Sequence, residues 1–258
     1  MARANRHRIP GCIWHITHRC HKKEFLLKFA GIVLCPGCAK PAASLQILNY
    51  TVTSNHVHLL VRDNNEAYSI PPAIQLVAGR VGQEYNQRKR RKGAFWEDRY
   101  HATAIESGEH LRRCLVYIDL NMVRAGVVNH PAEWAYGGYH EIQGNRRRNT
   151  LLALDTLAEA RQTGRIRWQK HIGVGSRENW PRTKADEKRF GQRSVAVGSK
   201  RFVQKIQENL GARGIGRSVG ANGDAYMLRE SPETYKGGFY PENRVIALNN
   251  CYFRTDFY

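Results

Sequence analysis

The chain has 258 residues, a formal net charge of +19 at pH 7 and a pI of about 10.0. That length allows one large or two small domains with a hydrophobic core. Such an excess of positive charge favours a polyanionic partner, nucleic acid before membrane, because no amphipathic lipid-binding helix stands out. No run of about eighteen apolar residues predicts a membrane span, and the basic N-terminus lacks the pattern of a secretory signal.

The six cysteines are scattered along the chain, a pattern typical of reduced thiols in a cytosolic protein rather than of a disulfide framework. Cys35 and Cys38 form a lone C-x-x-C, whereas a structural zinc site needs a second pair at suitable spacing. Residues 31–44 also contain Pro36, Gly37 and Pro41, which break a helix. We therefore favour a rebuilt or damaged loop over a zinc site for this segment.

Apolar periodicity predicts strands and helices over most of the chain. The predicted strands are Cys12–Arg19, Gln46–Val61 and Phe95–Ile105. The second of these is one long strand, or two short strands with a break near Ser54 and Asn55. The predicted helices are Lys22–Phe29, Pro71–Lys92 with Ser69 as its N-cap, Ser107–Ala125, Leu151–Arg161 and Ser199–Leu210. A change in composition after Arg148 predicts a domain boundary near residue 150.

Two histidines stand two residues apart in the strand-forming stretch Tyr50–Arg62. Alternate residues of a strand point to the same face, so His56 and His58 present neighbouring imidazoles while Val57 points away. Two neutral imidazoles on one strand could hold a divalent metal. The alternative is that the two histidines are ordinary polar residues on the solvent-exposed face of a sheet. In the first strand, His15 is interpreted as a satisfied polar residue.

The predicted helix Ser107–Ala125 carries an apolar stripe and, beside it, a polar face built by three- and four-residue steps. That face consists of Arg113, Tyr117, Asn121 and Arg124, and Tyr117 lies one turn, about 6 Å, from Asn121. An amide and two histidines make a three-ligand metal site with positions open for a phosphate oxygen. A phenol becomes a nucleophile once positive charge helps to deprotonate it. The alternative is that Tyr117 is a half-buried aromatic residue on an amphipathic helix.

These two stretches resemble those of a known family. Asn55-His56-Val57-His58-Leu59-Leu60, followed by Tyr117-Ile118-Asp119-Leu120-Asn121-Met122-Val123-Arg124-Ala125-Gly126, resembles the single-tyrosine HUH transposases, most of all the REP-associated tyrosine transposases of bacteria. Pro10–Arg19 resembles the family's first strand, and Phe95–Tyr100 resembles the strand before its catalytic helix. The resemblance covers residues 1–144.

For the fold, the resemblance implies an α+β domain over residues 1–148, with a ferredoxin-like antiparallel sheet and helices packed on it. A small, mostly helical extension would follow over residues 149–258, and its basic character makes it a second candidate for DNA binding. Between Phe29 and Leu48 the family normally has an amphipathic helix that packs on the sheet. This chain has helix breakers there instead.

For the site, the resemblance implies that His56 and His58 bind Mg²⁺ or Mn²⁺, with Asn121 as the third ligand. Tyr117 would attack single-stranded DNA, keep the 5′ phosphate and release a 3′ hydroxyl. The implied substrate is a hairpin such as a repetitive extragenic palindrome. The implied setting is the cytoplasm and nucleoid of a bacterium, with the protein acting as a monomer or homodimer.

Positive charge, rather than any motif, marks the expected DNA contacts. Five successive cations end the predicted helix Pro71–Lys92, more than compensation of a helix dipole requires. The expected contacts are Arg3, Arg6, Arg8, Arg88, Lys89, Arg90, Arg91, Lys92, Arg99, Arg113 and Arg124.

Two other classes of function fit part of this pattern. A nucleic-acid-binding regulator without catalysis would use the same basic surface, with His56 and His58 in structural roles. A metallonuclease that uses water would need a carboxylate near the metal. Glu97 and Asp98 are candidates for that carboxylate, but they lie on a separate predicted strand and no spacing argument supports them.

Overall fold

A computed structural model describes residues 9, 11–27, 45–63, 70–144, 150–160, 194–214 and 216–230. Within those ranges, no helix combines the length and the apolar character that crossing a bilayer requires. The predictions that concern Arg3, Arg6, Arg8, the Ser69 cap and the C-x-x-C pair lie outside the described residues.

Seven strands of the described chain form one sheet. The strands are β1 (Ile13–Arg19), β2 (Leu45–Val52), β3 (His56–Asp63), β4 (His101–Ile105), β5 (Ser194–Gly198), β6 (Arg217–Asn222) and β7 (Ala225–Glu230). They lie in the order β2-β3-β1-β4-β5-β7-β6. The first four are antiparallel neighbours in the order of a ferredoxin-like sheet, as the resemblance implied. β5 joins β4 in parallel, so the sheet as a whole is mixed.

Helices cover both faces of this sheet. They are α1 (Ile70–Arg88), α2 (Glu109–Asp119), α3 (Asn121–Arg124), α4 (Tyr139–Ile142), α5 (Leu154–Ala160) and α6 (Lys200–Leu210). On one face, Leu111, Leu115 and Ile118 of α2 pack on Ile13 and Leu60 of the strands. On the other face, α1 and α6 pack over alternate residues of the same strands. The helices and the sheet together form an α+β fold.

One predicted strand near the centre of the chain is shorter than expected. The prediction of a strand over Phe95–Ile105 was wrong for its first half, because only His101–Ile105 forms a strand. Phe95 packs against Tyr85, and the Trp96 indole donates a hydrogen bond to the Ala78 carbonyl of α1. Both residues are therefore anchored to α1, and Trp96 also stacks on His18 of β1, with ring centroids 4.0 Å apart.

The predicted helix Ser107–Ala125 is two helices, because Leu120, with φ −80° and ψ 1°, interrupts it. Gly108, with φ 79°, precedes the first turn instead of Ser107. Gly126 takes a left-handed conformation (φ 73°) just past the end, as predicted. Similarly, α1 stops at Arg88, shortly before Arg90 at φ 48°, so the predicted end at Lys92 was too late.

Of the other predicted elements, Gln46–Val61 is two strands separated at Ser54 and Asn55. The predicted helix Lys22–Phe29 is, in its described part, only a 3-10 turn at His21–Lys23, where Lys22 and Lys23 have positive φ. The helix after Ser199 is confirmed, with the Ser199 hydroxyl accepting from the Phe202 amide.

The described part of the C-terminal segment adds three strands to the sheet as well as helices α5 and α6, where a mostly helical extension was expected. β6 and β7 form a hairpin around Gly223 and Asp224, with Gly223 at φ 62°. The Gly223-Asp224 pair, typical of a two-residue hairpin turn, was missed in the sequence. Through the β4–β5 pairing the sheet crosses the predicted boundary near residue 150.

Candidate functional site

His58 is a deeply buried polar residue of the site, with 3% of its surface exposed. It lies on β3 opposite Thr17 of β1, on the face covered by α2. Its Nδ1 is 2.9 Å from His15 Nε2 and 3.4 Å from Thr17 Oγ1. Its Nε2 is 3.0 Å from Asn121 Nδ2. Both ring nitrogens therefore have polar neighbours, which fix the orientation of the ring.

His56 lies beside His58 on the same face of β3, with ring centroids 4.7 Å apart. The turn before β3 holds its Nδ1, 2.9 Å from Thr53 Oγ1 and 2.7 Å from Asn55 Oδ1. That arrangement leaves Nε2 as the nitrogen to meet a ligand. Across the strand pair, the half-buried Arg19 is the direct partner of His56 and supplies positive charge to the site.

Tyr117 projects from α2 onto the two histidines of the sheet. Its ring centroid lies 5.8 Å from that of His58 and 5.9 Å from that of His15, both in edge-on contacts. The Arg124 guanidinium lies 4.1 Å from the centre of the Tyr117 ring and donates to the Tyr117 carbonyl at 2.7 Å. A permanent positive charge thus stands beside the side chain that would become negative as a nucleophile.

The interruption at Leu120 separates Tyr117 on α2 from Asn121 at the start of α3. Both side chains nevertheless meet the same imidazole, that of His58. Between them, Asp119 points into the protein and accepts a hydrogen bond from Asn49 Nδ2 at 2.9 Å. Burial raises the pKa of the Asp119 carboxyl to about 7.

The donor set fits a divalent cation. Burial lowers the pKa of His56 to about 4, with Arg19 adding to the effect, and lowers that of His58 well below its ordinary value. Both rings are therefore neutral near pH 7, the form that binds metal. In the described ranges, no three side chains of the His, Cys, Asp and Glu types are grouped to hold a metal. The Asn121 amide lies beside the two imidazoles, 3.0 Å from His58 Nε2, and its oxygen is of a type that can bind such a cation.

The basic residues expected to contact DNA are not all at this site. Arg124 is part of it, whereas Arg113 is held by carboxylates of Glu109 and Asp224. Arg91 lies 3.9 Å from Glu24. The remaining described members are exposed, namely Arg88, Lys89, Arg90 and Lys92 around the end of α1, and Arg99. Glu97 and Asp98 lie in the exposed loop before β4, outside any strand.

The sequence interpretation missed three residues of this site, His15, Thr17 and Arg19. They alternate along β1, so the strand turns all three towards the face of His58 and His56. The alternate spacing of these three residues was the available sequence signal, but it shows only that they lie on the same face of β1. The β1–β3 register, which brings them to the histidines, is a property of the folded sheet.

The model of the IS200-like transposase family matches residues 36–121. That segment contains His56, His58, Tyr117 and Asn121, and over it the resemblance to a transposase family is confirmed. No curated protein matches the chain.

Two solved structures are similar to this chain. One is a REP-associated tyrosine transposase bound to a REP hairpin, with 19% identity and a TM-score of 0.48, covering 57% of this chain and 87% of that chain. The other is a candidate transposase from Deinococcus radiodurans R1, with 14% identity and a TM-score of 0.32, covering 49% of this chain and 98% of that chain.

Proposed function

We propose that the protein is a DNA transposase that cleaves single-stranded DNA beside a hairpin and rejoins it through a covalent 5′-phosphotyrosine on Tyr117. One observation carries the proposal: Tyr117, Asn121 and His58 meet in one site, inside a segment that matches a transposase family. Burying a phenol, an amide and several imidazoles in mutual contact costs free energy that a purely structural core would avoid. Phosphoryl transfer uses each of these groups.

The reaction is a transesterification. The Tyr117 phenol loses its proton and attacks phosphorus, and the bond from phosphorus to the 3′ oxygen of the preceding nucleotide breaks. The departing 3′ oxygen takes up a proton, so the products are a tyrosine phosphodiester and a free 3′ hydroxyl. One phosphate ester replaces another, and a free hydroxyl can later reverse the exchange without ATP.

The protein's own residues prepare this step. His56, His58 and Asn121 would hold Mg²⁺ or Mn²⁺, which when bound withdraws charge from the non-bridging oxygens of the phosphate. The guanidinium of Arg124 fixes the Tyr117 backbone and places positive charge against its ring. The packing of α2 on the sheet orients Tyr117 towards the histidines.

For the substrate, we propose hairpin DNA such as a repetitive extragenic palindrome, as the sequence resemblance implies. The net charge of +19 supports a polyanionic partner. The exposed cations at the end of α1, together with Arg99, are the proposed backbone contacts in the described chain. We assign Arg113 to the support of α2 instead, because two carboxylates already hold it.

Incubation with a labelled hairpin oligonucleotide, with and without Mn²⁺, tests the proposal on a denaturing gel. We expect a protein-linked band for the wild type that disappears in Tyr117→Phe, while binding of the oligonucleotide persists. The matched control is Tyr136→Phe, because Tyr136 packs on Trp134 away from the histidines. An undiminished adduct in Tyr117→Phe would overturn the assignment of the nucleophile.

The same gel separates the other classes of function. Binding without any cleavage, unchanged by a chelator, would indicate a non-catalytic regulator. Metal-dependent cleavage with no protein-linked product would indicate a hydrolytic nuclease.

A further inference from the structure

His15 lies at the centre of the site without being one of its proposed metal ligands or its nucleophile. It is 1% exposed and lies on β1. Its ring lies edge to edge with that of His58, with centroids 5.1 Å apart and planes inclined by 12°, and it contacts Tyr117 edge-on. Burying an imidazole costs free energy unless its nitrogens are hydrogen-bonded. A buried histidine at this position therefore suggests a specific role.

The hydrogen bonds of His58 indicate where its single proton lies. A bond between two imidazole nitrogens needs one proton, carried either by His58 Nδ1 or by His15 Nε2, which are 2.9 Å apart. On the other side of the His58 ring, Nε2 faces the Asn121 amide nitrogen at 3.0 Å, and an amide nitrogen only donates. His58 Nε2 therefore carries the lone pair, and Nδ1 carries the proton and donates it to His15.

Thr17 is compatible with this arrangement. Its Oγ1 lies 3.4 Å from the same His58 Nδ1, and a hydroxyl oxygen can accept that proton. His56 follows the same pattern with different partners, because Thr53 and Asn55 hold its Nδ1. In both histidines Nδ1, the nitrogen nearer the backbone, is engaged by residues of the sheet or its turn. Nε2 carries the lone pair, and in His58 that lone pair meets the amide of Asn121, the proposed third ligand.

We propose that His15 is a positioning residue that holds His58 in its Nδ1–H tautomer and fixes the plane of its ring, so that the His58 Nε2 lone pair stays directed at a bound divalent cation. This inference rests on the proposed function. A neighbouring hydrogen-bond partner commonly sets the tautomer of a metal-binding histidine, and its loss costs about 10–100-fold in metal affinity.

Nitrogen-15 NMR of the histidine rings tests the tautomer directly, on the full-length, metal-free protein. In the wild type we expect His58 with a protonated Nδ1. In His15→Phe, which keeps an aromatic ring but has no acceptor, we expect His58 to shift towards the Nε2–H form. In His15→Gln, whose side-chain oxygen can accept the same bond, we expect Nδ1–H to be retained. His58 with a protonated Nε2 in the wild type, or unchanged in His15→Phe, would overturn the proposal.

Binding of Mn²⁺ to the same proteins, followed by electron paramagnetic resonance, gives a second readout without DNA or catalysis. We expect an affinity about 10–100-fold weaker in His15→Phe and close to wild type in His15→Gln. His101→Phe is the matched control, because His101 is another histidine on the same sheet face, paired with Thr17. If His15→Phe does not fold, His15→Asn replaces it, since its oxygen stands further back from His58.

The outcomes separate this inference from the proposed function. Suppose that adduct formation depends on Tyr117, but that the His58 tautomer and the Mn²⁺ affinity are the same in the wild type and the His15 variants. That result would contradict the role of His15 and leave the proposed function intact. If the wild type forms no adduct and binds no Mn²⁺, the proposed function is contradicted. The NMR experiment would still show which nitrogen of His58 carries the proton.

Discussion

The two halves of the sheet differ in what they bury. In β2-β3-β1-β4, several buried side chains are polar, namely His15, Thr17, Asn49, Thr51, His58 and Thr103. In the described β5-β7-β6, Ser194 is the one buried polar residue, and apolar residues such as Val197 and Leu228 make up the rest. Burying polar groups stabilises a fold less than burying apolar ones. The buried residues of β2-β3-β1-β4 therefore stabilise the fold less, a cost that the proposed site explains. The buried residues of β5-β7-β6 mainly stabilise the fold.

Contacts between the halves show how that support is given. The amide and hydroxyl of Ser199, at the start of α6, both donate to the Glu106 carboxylate just before α2. Asp224, in the β6–β7 turn, is paired with Arg113 on α2. The C-terminal half thus holds the helix that carries Tyr117, and none of the residues described in β5, β7 and β6 belongs to the site.

The largest difference between the halves is expected in activity. His58→Gln removes a ring that contacts Tyr117, Asn121 and His15, and loss of a group that stabilises charge in a transition state costs on the order of 10²–10³ in rate. Ser194→Ala, a buried polar residue of the other half, should change the rate by less than about twofold. Single-turnover formation of the covalent adduct measures both, and a comparable loss in Ser194→Ala would break the comparison.

Stability should fall alike in both halves while activity separates them. Leu115 of α2 is 0% exposed and Ile206 of α6 is 2% exposed. Truncation of either to Ala should lower the free energy of unfolding by about 2–5 kcal/mol, measured by urea denaturation. At a temperature where both variants remain folded, we expect Leu115→Ala to slow adduct formation, because it loosens the packing of α2, which carries Tyr117, on the sheet. We expect Ile206→Ala to keep the wild-type rate.

Acid sensitivity should arise in the first half. Burial lowers the pKa of His18 from 6.5 to about 4. Between those values the unfolded chain holds a proton that the folded protein does not, so stability is full above pH 6.5 and falls as the pH drops towards 4. His18→Gln, which can still donate to the Asp98 carbonyl, should lose less stability between pH 7 and pH 4.5. We expect a difference on the order of 1–3 kcal/mol, and parallel pH profiles for the two proteins would contradict it.

The smallest effect is expected at the contact between the halves. Asp224→Asn removes the charge that meets the partly exposed Arg113, and surface ion pairs are worth about 0–1 kcal/mol. Arg113 keeps Glu109, so the rate of adduct formation should change by less than about twofold. Asp155→Asn, an exposed carboxylate of α5, is the control. A large loss of rate in Asp224→Asn alone would mean that the C-terminal half does more than support α2.

Periodicity predicted most of the elements because apolar residues recur at the spacing of the buried faces. The pair His56 and His58, and the pair Tyr117 and Asn121, were likewise visible as local spacings. The loop before β4 was mispredicted because the aromatic residues Phe95 and Trp96 suit a strand but pack on α1. No local rule reports which surface an aromatic residue will meet.

Contacts between distant segments were the main part that could not be predicted. His15 had the appearance of a polar residue in a strand, and only the β1–β3 register brings it to His58. Arg113 had the appearance of a DNA contact, and its partner Asp224 comes from a turn near the other end of the described chain. The folded sheet creates both contacts, so neither leaves a spacing in the sequence.

The parallel pairing of β4 with β5 has a consequence for how the chain is made. β4 lies beside β1 on one edge, and its other edge is covered only when Ser194–Gly198 arrives, long after His101–Ile105 has been synthesised. Until then the unpaired backbone groups of β4 form an open edge, the kind of surface that pairs with other chains. Translation that pauses or ends between these strands should leave a nascent product prone to aggregation, although every residue of the proposed site is already present.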